Sequence, residues 1–297
     1  MTKKESLTIR LVVLILCLVL FLGSALFYVF KINEGGWNIN MAFRGNEALL
    51  QNTVYEKEAV QRLEIKTAAA DVYLKATDDE KLSVTVYGRD NAKDDPAQIN
   101  LVNGVLSIKE SPVRKLFSFF SVLTKIEIAV PKALCPQVSV ETASGDVRVT
   151  IDTNTLHLSS ASGDLEIFGS CGDRLTVSQV SGEIKLSASA KEMLLSSVSG
   201  DMELQAQTEK LEAKSVSGDI DFSLSGSAKT AVIHTTSGDI EASIGAINDY
   251  SVSFESVSGS LNDRKNGSNA KKKIFYTVGT GALSLSFHTV SGDATVR

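Results

Sequence analysis

The chain has 297 residues, 43% of them hydrophobic and 22% charged, with a formal net charge of −5. This composition excludes a wholly disordered chain and a polytopic membrane protein, and four prolines exclude a collagen-like or proline-rich stalk. The acidic balance argues against nucleic acid as a partner.

The first element in chain order is an uncharged run from Leu11 to Phe30, preceded by Lys3, Lys4 and Arg10. As a helix rising ~1.5 Å per residue it spans ~30 Å, the hydrocarbon thickness of a bilayer. Tyr28 and Trp37 stand near its far end, where aromatic anchors are favoured. The positive-inside rule places residues 1–10 in the cytoplasm and everything after Phe30 outside it. A cleaved signal peptide is the alternative, with Gly23-Ser24-Ala25 as the small-residue site, but the apolar run continues past that point. Leu16 before Cys17 does not suit a lipoprotein signal. The prediction is a cytoplasmic tail (1–10), a single-pass transmembrane helix (11–30) and a juxtamembrane linker (31–60).

Residues 61–131 are irregular, with strands expected around Leu63–Leu74, Leu82–Val86, Val105–Ile108 and Ile126–Val130. They read as an N-terminal cap on an extracytoplasmic domain of residues 61–297. Beyond them the chain repeats. Ser-Gly-Asp or a close variant recurs with serines at 144, 162, 181, 199, 217, 237, 258 and 291. Most intervals are 18–21 residues; the last is longer. Six and four residues before each serine the side chain is apolar, from Val138 and Val140 to Leu285 and Phe287. Two residues before it stands Thr, Ser or Gln. Three and five residues after it the chain is apolar again, except for Asp263. Alternation at every second residue is the strand period. Each repeat is therefore strand, corner, strand, loop, with glycine supplying the backbone freedom the corner needs.

A short unit of this kind buries its apolar face only by stacking on its neighbours. The fold class predicted is all-β: a β-solenoid of 18–21 residue coils. Lys66-Thr-Ala-Ala-Ala-Asp-Val-Tyr-Leu74 adds one upstream copy, so that about nine coils make a rod of ~40 Å. A meander of antiparallel SGD hairpins is the alternative. Gly279-Thr280-Gly281, inside the long last interval, suggests a closing coil. Asn266–Lys273 reads as an exposed loop.

Lys66–Leu74, Ile126-Glu-Ile-Ala-Val-Pro131 and Glu141-Thr-Ala-Ser-Gly-Asp-Val147 together resemble the bacterial "putative adhesin" domain family, with its LiaG-like and YvlB-like envelope proteins. The resemblance covers residues 60–297. It implies a right-handed β-helix-like fold and a cell-envelope setting, often near systems answering envelope stress. It carries over no catalytic residues. Departures from the motif stand at Ala69-Ala70, Glu183 and Ser260.

The residues themselves offer little chemistry. The aspartates of the corners, Asp146, Asp164, Asp201, Asp219, Asp239 and Asp293, would line one edge. There they either bridge a divalent cation or, as favoured here, each cap their own corner. His157, His234 and His288 form no motif, and the last two are 54 residues apart. Arg114-Lys115-Leu-Phe-Ser-Phe-Phe120 reads as cap filling or as a lipid-resting loop. Cys135 and Cys171 are either a disulfide or two small buried hydrophobes, and no CxxC exists. No catalytic, cofactor-binding or metal-binding residue is assigned, no cofactor is expected, and the chain is not expected to be an enzyme. The expected role is a membrane-anchored, non-catalytic binding or scaffolding module that contacts the bilayer and an envelope protein or wall polymer, in adhesion or envelope stress. An accessory partner of a stress-sensing membrane system and a tethered β-helix carbohydrate enzyme are the alternatives.

Overall fold

The computed structural model describes residues 47–89, 97–111, 123–225 and 227–297. The predicted helix over 11–30 and the Arg114–Phe120 stretch lie outside them. Among the described residues no helix is long and apolar enough to cross a membrane. Those residues form one 3-10 turn, Lys57–Ala59, and twenty strands. The first seven are β1 (Glu47–Glu56), β2 (Arg62–Thr67), β3 (Asp71–Thr77), β4 (Lys81–Arg89), β5 (Ala97–Val102), β6 (Val105–Glu110) and β7 (Leu123–Pro131). The repeats begin with β8 (Gln137–Ser144), β9 (Val147–Thr150) and β10 (Thr153–Ser162). In the next three, β11 (Leu165–Ser181), β12 (Ile184–Ser199) and β13 (Met202–Ser217), a single strand runs from one corner to the next. The chain then forms β14 (Ile220–Leu224), β15 (Thr230–Ser237), β16 (Ile240–Ser243), β17 (Tyr250–Asp263), β18 (Asn269–Val278), β19 (Leu283–Thr289) and β20 (Ala294–Val296).

The stack is parallel, as the solenoid reading requires. Strands before the corner form one ladder: β6, β2, β8, β10, the second halves of β11 to β13, β15, β19 and the first half of β17. Strands after the corner form the other: β7, β3, β9, the first halves of β11 to β13, β14, β16, β20 and the end of β17. Equal offsets from the serine pair with each other, so Leu156 faces Val138 on one side and Leu175 on the other. The alternating apolar positions point inward from both ladders and are buried almost without exception. Where large side chains meet they interlock, as Phe222 and Phe287 do edge-on at 6.3 Å between centroids.

Chain order and spatial order part at both ends. The coil β2–β3 lies between β6–β7 and β8–β9. The coil β19–β20 lies between β15–β16 and β17. The region 61–131 is thus not only a cap, since it contains a full coil. Antiparallel strands close the stack: β4 on β7 with β1 outside it, β5 on β6, and β18 on β17. The 31–60 stretch needs correction too, because β1 already belongs to the domain. Gly279–Gly281 is no closing coil. It is the turn from β18 to β19, where Asp249 takes the N–H groups of Gly281 (2.5 Å) and Ala282 (3.1 Å) and the Thr280 hydroxyl (2.6 Å). Nor is Asn266–Lys273 all loop, since β18 begins at Asn269. Cys135 and Cys171 are both free, the first exposed and the second buried.

Asp263 breaks the apolar pattern for a reason visible in its partners. It is fully buried. Its carboxylate accepts from the hydroxyls of Tyr250 (2.8 Å) and Tyr276 (2.5 Å) and the N–H groups of Lys265 (2.8 Å) and Asn266 (3.2 Å). A buried carboxylate is tolerated when its lone pairs are filled in this way. It pins β18 across the last coil, and burial together with this carboxylate pushes both tyrosine hydroxyls well above the usual range.

The corner glycines stack so closely that no side chain fits between them. A β-carbon on Gly200 would lie 1.9 Å from the Gly182 carbonyl oxygen, and one on Gly218 would lie 2.3 Å from that of Gly200. Five of the eight, Gly163, Gly182, Gly200, Gly218 and Gly238, also have φ between +111° and +145°. Ala70 is the corner residue next to Gly145, on which a β-carbon would lie 2.3 Å from the Ala70 carbonyl oxygen, and the Glu110 carboxylate takes the Ala68 N–H at 2.6 Å. Gly200→Ala should therefore destabilise the domain by ~2–4 kcal/mol. Gly267→Ala, at φ +78° with nothing within 4 Å, should cost about 1 kcal/mol. Thermal unfolding of the two variants beside the parent measures the difference.

Candidate functional site

The outer surface is built from three features: a carboxylate relay at the corners, cross-coil charge and imidazole pairs, and a neutral groove. The relay differs from the sequence expectation. Each aspartate caps the next coil's corner, not its own. Asp71 accepts the Asp146 N–H (3.0 Å), Asp146 that of Asp164 (2.9 Å), and Asp164 that of Glu183 (2.9 Å). It resumes with Asp201 to Asp219 (2.9 Å), Asp219 to Asp239 (2.7 Å), Asp239 to Asp293 (2.8 Å) and Asp293 to Ser260 (2.7 Å). The two departures at the aspartate position now have a physical account. Ser260 ends the column, where no further N–H needs an acceptor. Glu183 is too long to turn back and pairs instead with Lys185 at 2.8 Å. Among the described residues no three His, Cys, Asp or Glu side chains converge as a metal site would require.

Asp219→Ala should cost ~1 kcal/mol more than Asp219→Asn, which keeps an acceptor for the Asp239 N–H. Glu183→Asp should restore the missing link and raise the melting temperature, because the exposed Lys185 pair it gives up is worth little. Melting curves of the three variants test both statements.

Charges on the outer faces are mostly paired between coils. Lys66 meets Glu141 (2.7 Å), Arg148 meets Glu166 (2.9 Å), and Glu192 takes both Arg174 (2.6 Å) and Lys210 (2.8 Å). His234 and His288 share an offset from their serines, and the insertion of β19 beside β15 places them side by side. Their rings stack at 4.7 Å, tilted by 10°. Sequence spacing hid this pair because 54 residues and one displaced coil separate its members. His288 Nε2 lies 3.0 Å from the Ser286 hydroxyl, and its Nδ1 lies 4.0 Å from Glu255. Burial first, then His288 and Lys214, push the His234 imidazole below its ordinary pKa, with Glu212 opposing them.

The unfolded chain takes up a proton at this histidine below about pH 6.5, whereas the folded chain resists until lower pH. Through that window the unfolded state holds more protons, so stability falls as pH falls. The melting temperature should drop between pH 7.5 and 5.5, and His234→Gln should flatten that slope. Loss through the lowered carboxyl of Asp249, held chiefly by the Thr280 hydroxyl, belongs to a separate window below about pH 4.

A groove of about 370 Å³ crosses four coils on the face after the corner. Ser187, Gln205 and Ser223 stand six residues after their corner serines, and Ser189, Gln207 and Ser225 eight. Ala188, Ala206 and Leu224 lie between the two rows. Small and amide residues at outward strand positions look ordinary in sequence, and only the stacking turns them into a continuous concavity.

Two parallel ladders sharing one corner column define the chain as a β-solenoid domain. It belongs to the Toastrack DUF4097 family, whose model matches residues 60–297. No curated protein matches the chain in sequence. Among solved structures, a protein described as a putative lipid binding protein from Parabacteroides distasonis ATCC 8503 is similar at 14% identity. It covers 85% of this chain and 98% of its own, with a TM-score of 0.50. A protein described as a putative adhesin from Bacteroides fragilis NCTC 9343 is similar at 16% identity. It covers 84% and 97%, with a TM-score of 0.48. At such identity the first of these likenesses speaks to fold alone.

Proposed function

We propose that this chain is a non-catalytic binding or scaffolding module of the cell envelope. Residues 11–30 anchor it as a single transmembrane helix, residues 1–10 face the cytoplasm, and the right-handed solenoid stands outside. The observation that carries this reading is the commitment of the corner aspartates. They repeat along an exposed edge, where an enzyme or a calcium-bound roll would use them. Instead, each carboxylate of the relay holds the neighbouring coil's N–H. The remaining charges are largely tied in pairs between coils, which leaves broad, stiff faces suited to contact and not to proton transfer.

The test is sedimentation of the full chain, held in lipid nanodiscs, with purified wall polymer and separately with envelope membranes. Saturable retention on wall polymer, unchanged by a calcium chelator, is expected. Retention only through one membrane protein would make the chain an accessory subunit of that protein and overturn the wall-binding reading.

A further inference from the structure

We infer that the groove across β11 to β14 is a binding site for an uncharged glycan strand. This rests on the binding-module reading and names its ligand class. The first argument is charge. The groove's lining carries no ionisable side chain, although it sits on a surface whose other rows are dense with Lys, Arg, Asp and Glu. A charged polymer finds no counter-charge there, whereas a neutral one loses no ionic hydration on entering.

The second argument is hydrogen-bonding capacity. Gln205 and Gln207 each offer two N–H donors and a carbonyl acceptor. Among the described residues the side chain of Gln207 has no hydrogen-bond partner, and that of Gln205 has one, the Ser187 hydroxyl at 3.4 Å. Amides that donate and accept side by side match hydroxyl groups, which do the same. The third is the floor. Ala206 and Leu224 are buried but reach the groove, an apolar strip for the C–H faces of sugar rings between two polar rows. Phe168 pairs in register with Ser187 at one end. Its half-buried ring continues the outward row of Ser187, Gln205 and Ser223 by a flat surface, with the Arg148 guanidinium 5.5 Å from its centroid.

Shape selects a polymer. The groove is open along its length and runs across the strands for three coil spacings, ~14 Å. A small molecule would stay largely wet in it, since drug-sized ligands are mostly enclosed by their pockets. A polypeptide adding itself as a strand needs a free sheet edge, and every strand beneath the groove is already paired on both sides. A chain that repeats hydroxyl groups along its length meets a fresh Ser or Gln at each coil.

The experiment titrates the full chain in nanodiscs, by calorimetry, with two neutral hexasaccharides: β-1,4-linked N-acetylglucosamine and β-1,4-linked glucose. Saturable binding of at least one is expected. The double variant Gln205→Ala/Gln207→Ala should weaken it at least tenfold with an unchanged melting temperature. Ser223→Trp, which fills the groove, should abolish it. If neither hexasaccharide binds, or if both variants bind as the parent does, the assignment is overturned. The same proteins in the wall-polymer sedimentation separate the two readings. Retention that survives both variants leaves the module standing without this groove, and loss of retention by the parent sinks the module whatever the hexasaccharides do.

Discussion

A glycine carbonyl oxygen pressed against the α-carbon of the glycine one coil away governs this architecture. Along the column from Gly145 to Gly259 a β-carbon would fall within 1.9–2.5 Å of a neighbouring main-chain oxygen. That contact lets the corners of successive coils stack as closely as the strands on either side, so both ladders keep one register around a sharp bend. If the corners were held further apart, the equal offsets that pair Leu156 with Leu175 and Val138 would drift, and the inward rows would lose their alignment. The aspartate relay is the polar counterpart of the same contact. Only corners this close allow a side chain as short as aspartate to reach the neighbouring main-chain N–H, and Glu183, one methylene longer, shows how narrow the tolerance is.

Much of this was legible in the sequence, because a solenoid writes its contacts as a period. The inward rows, the corners and the extra copy at Lys66–Leu74 follow from counting residues. What the period could not show is which coil neighbours which. Nothing local marks 283–297 as lying beside 230–243, so the stacking of His234 on His288 was out of reach. So was the reason that Ser260 and not aspartate ends the column. Asp263 looked like a broken repeat because its tyrosine partners come from Tyr250, earlier in the same strand, and from β18, which has no counterpart in the other repeats. The direction of the relay was also hidden: an aspartate serving its own corner and one serving the next have the same sequence.

The groove was less legible still. Serine and glutamine at outward strand positions are unremarkable one coil at a time. Their meaning depends on four neighbours being small or amide-bearing together, while the rows around them carry charge. The surface is thus partitioned. One part is neutralised internally by ion pairs, each worth little in water, and one part keeps its hydrogen-bonding groups unspent.

The displaced coils at the two ends bear on how the chain comes to be folded. Repeat arrays ordinarily grow by adding each unit to the one before it. Here β19 and β20 must enter a slot whose walls, β15–β16 and β17, are both already in the chain. Until they arrive, two facing sheet edges stay unpaired, and such edges invite pairing with other molecules. The contacts that close the slot join residues 54 apart on one wall and 33 apart on the other, loops whose closure costs entropy before any pairing returns it. Once closed, the coil of residues 283–297 is gripped on both sides and cannot peel away alone, as a terminal repeat usually can. The stack therefore exchanges a slow, exposed final step for ends that open only together with their neighbours.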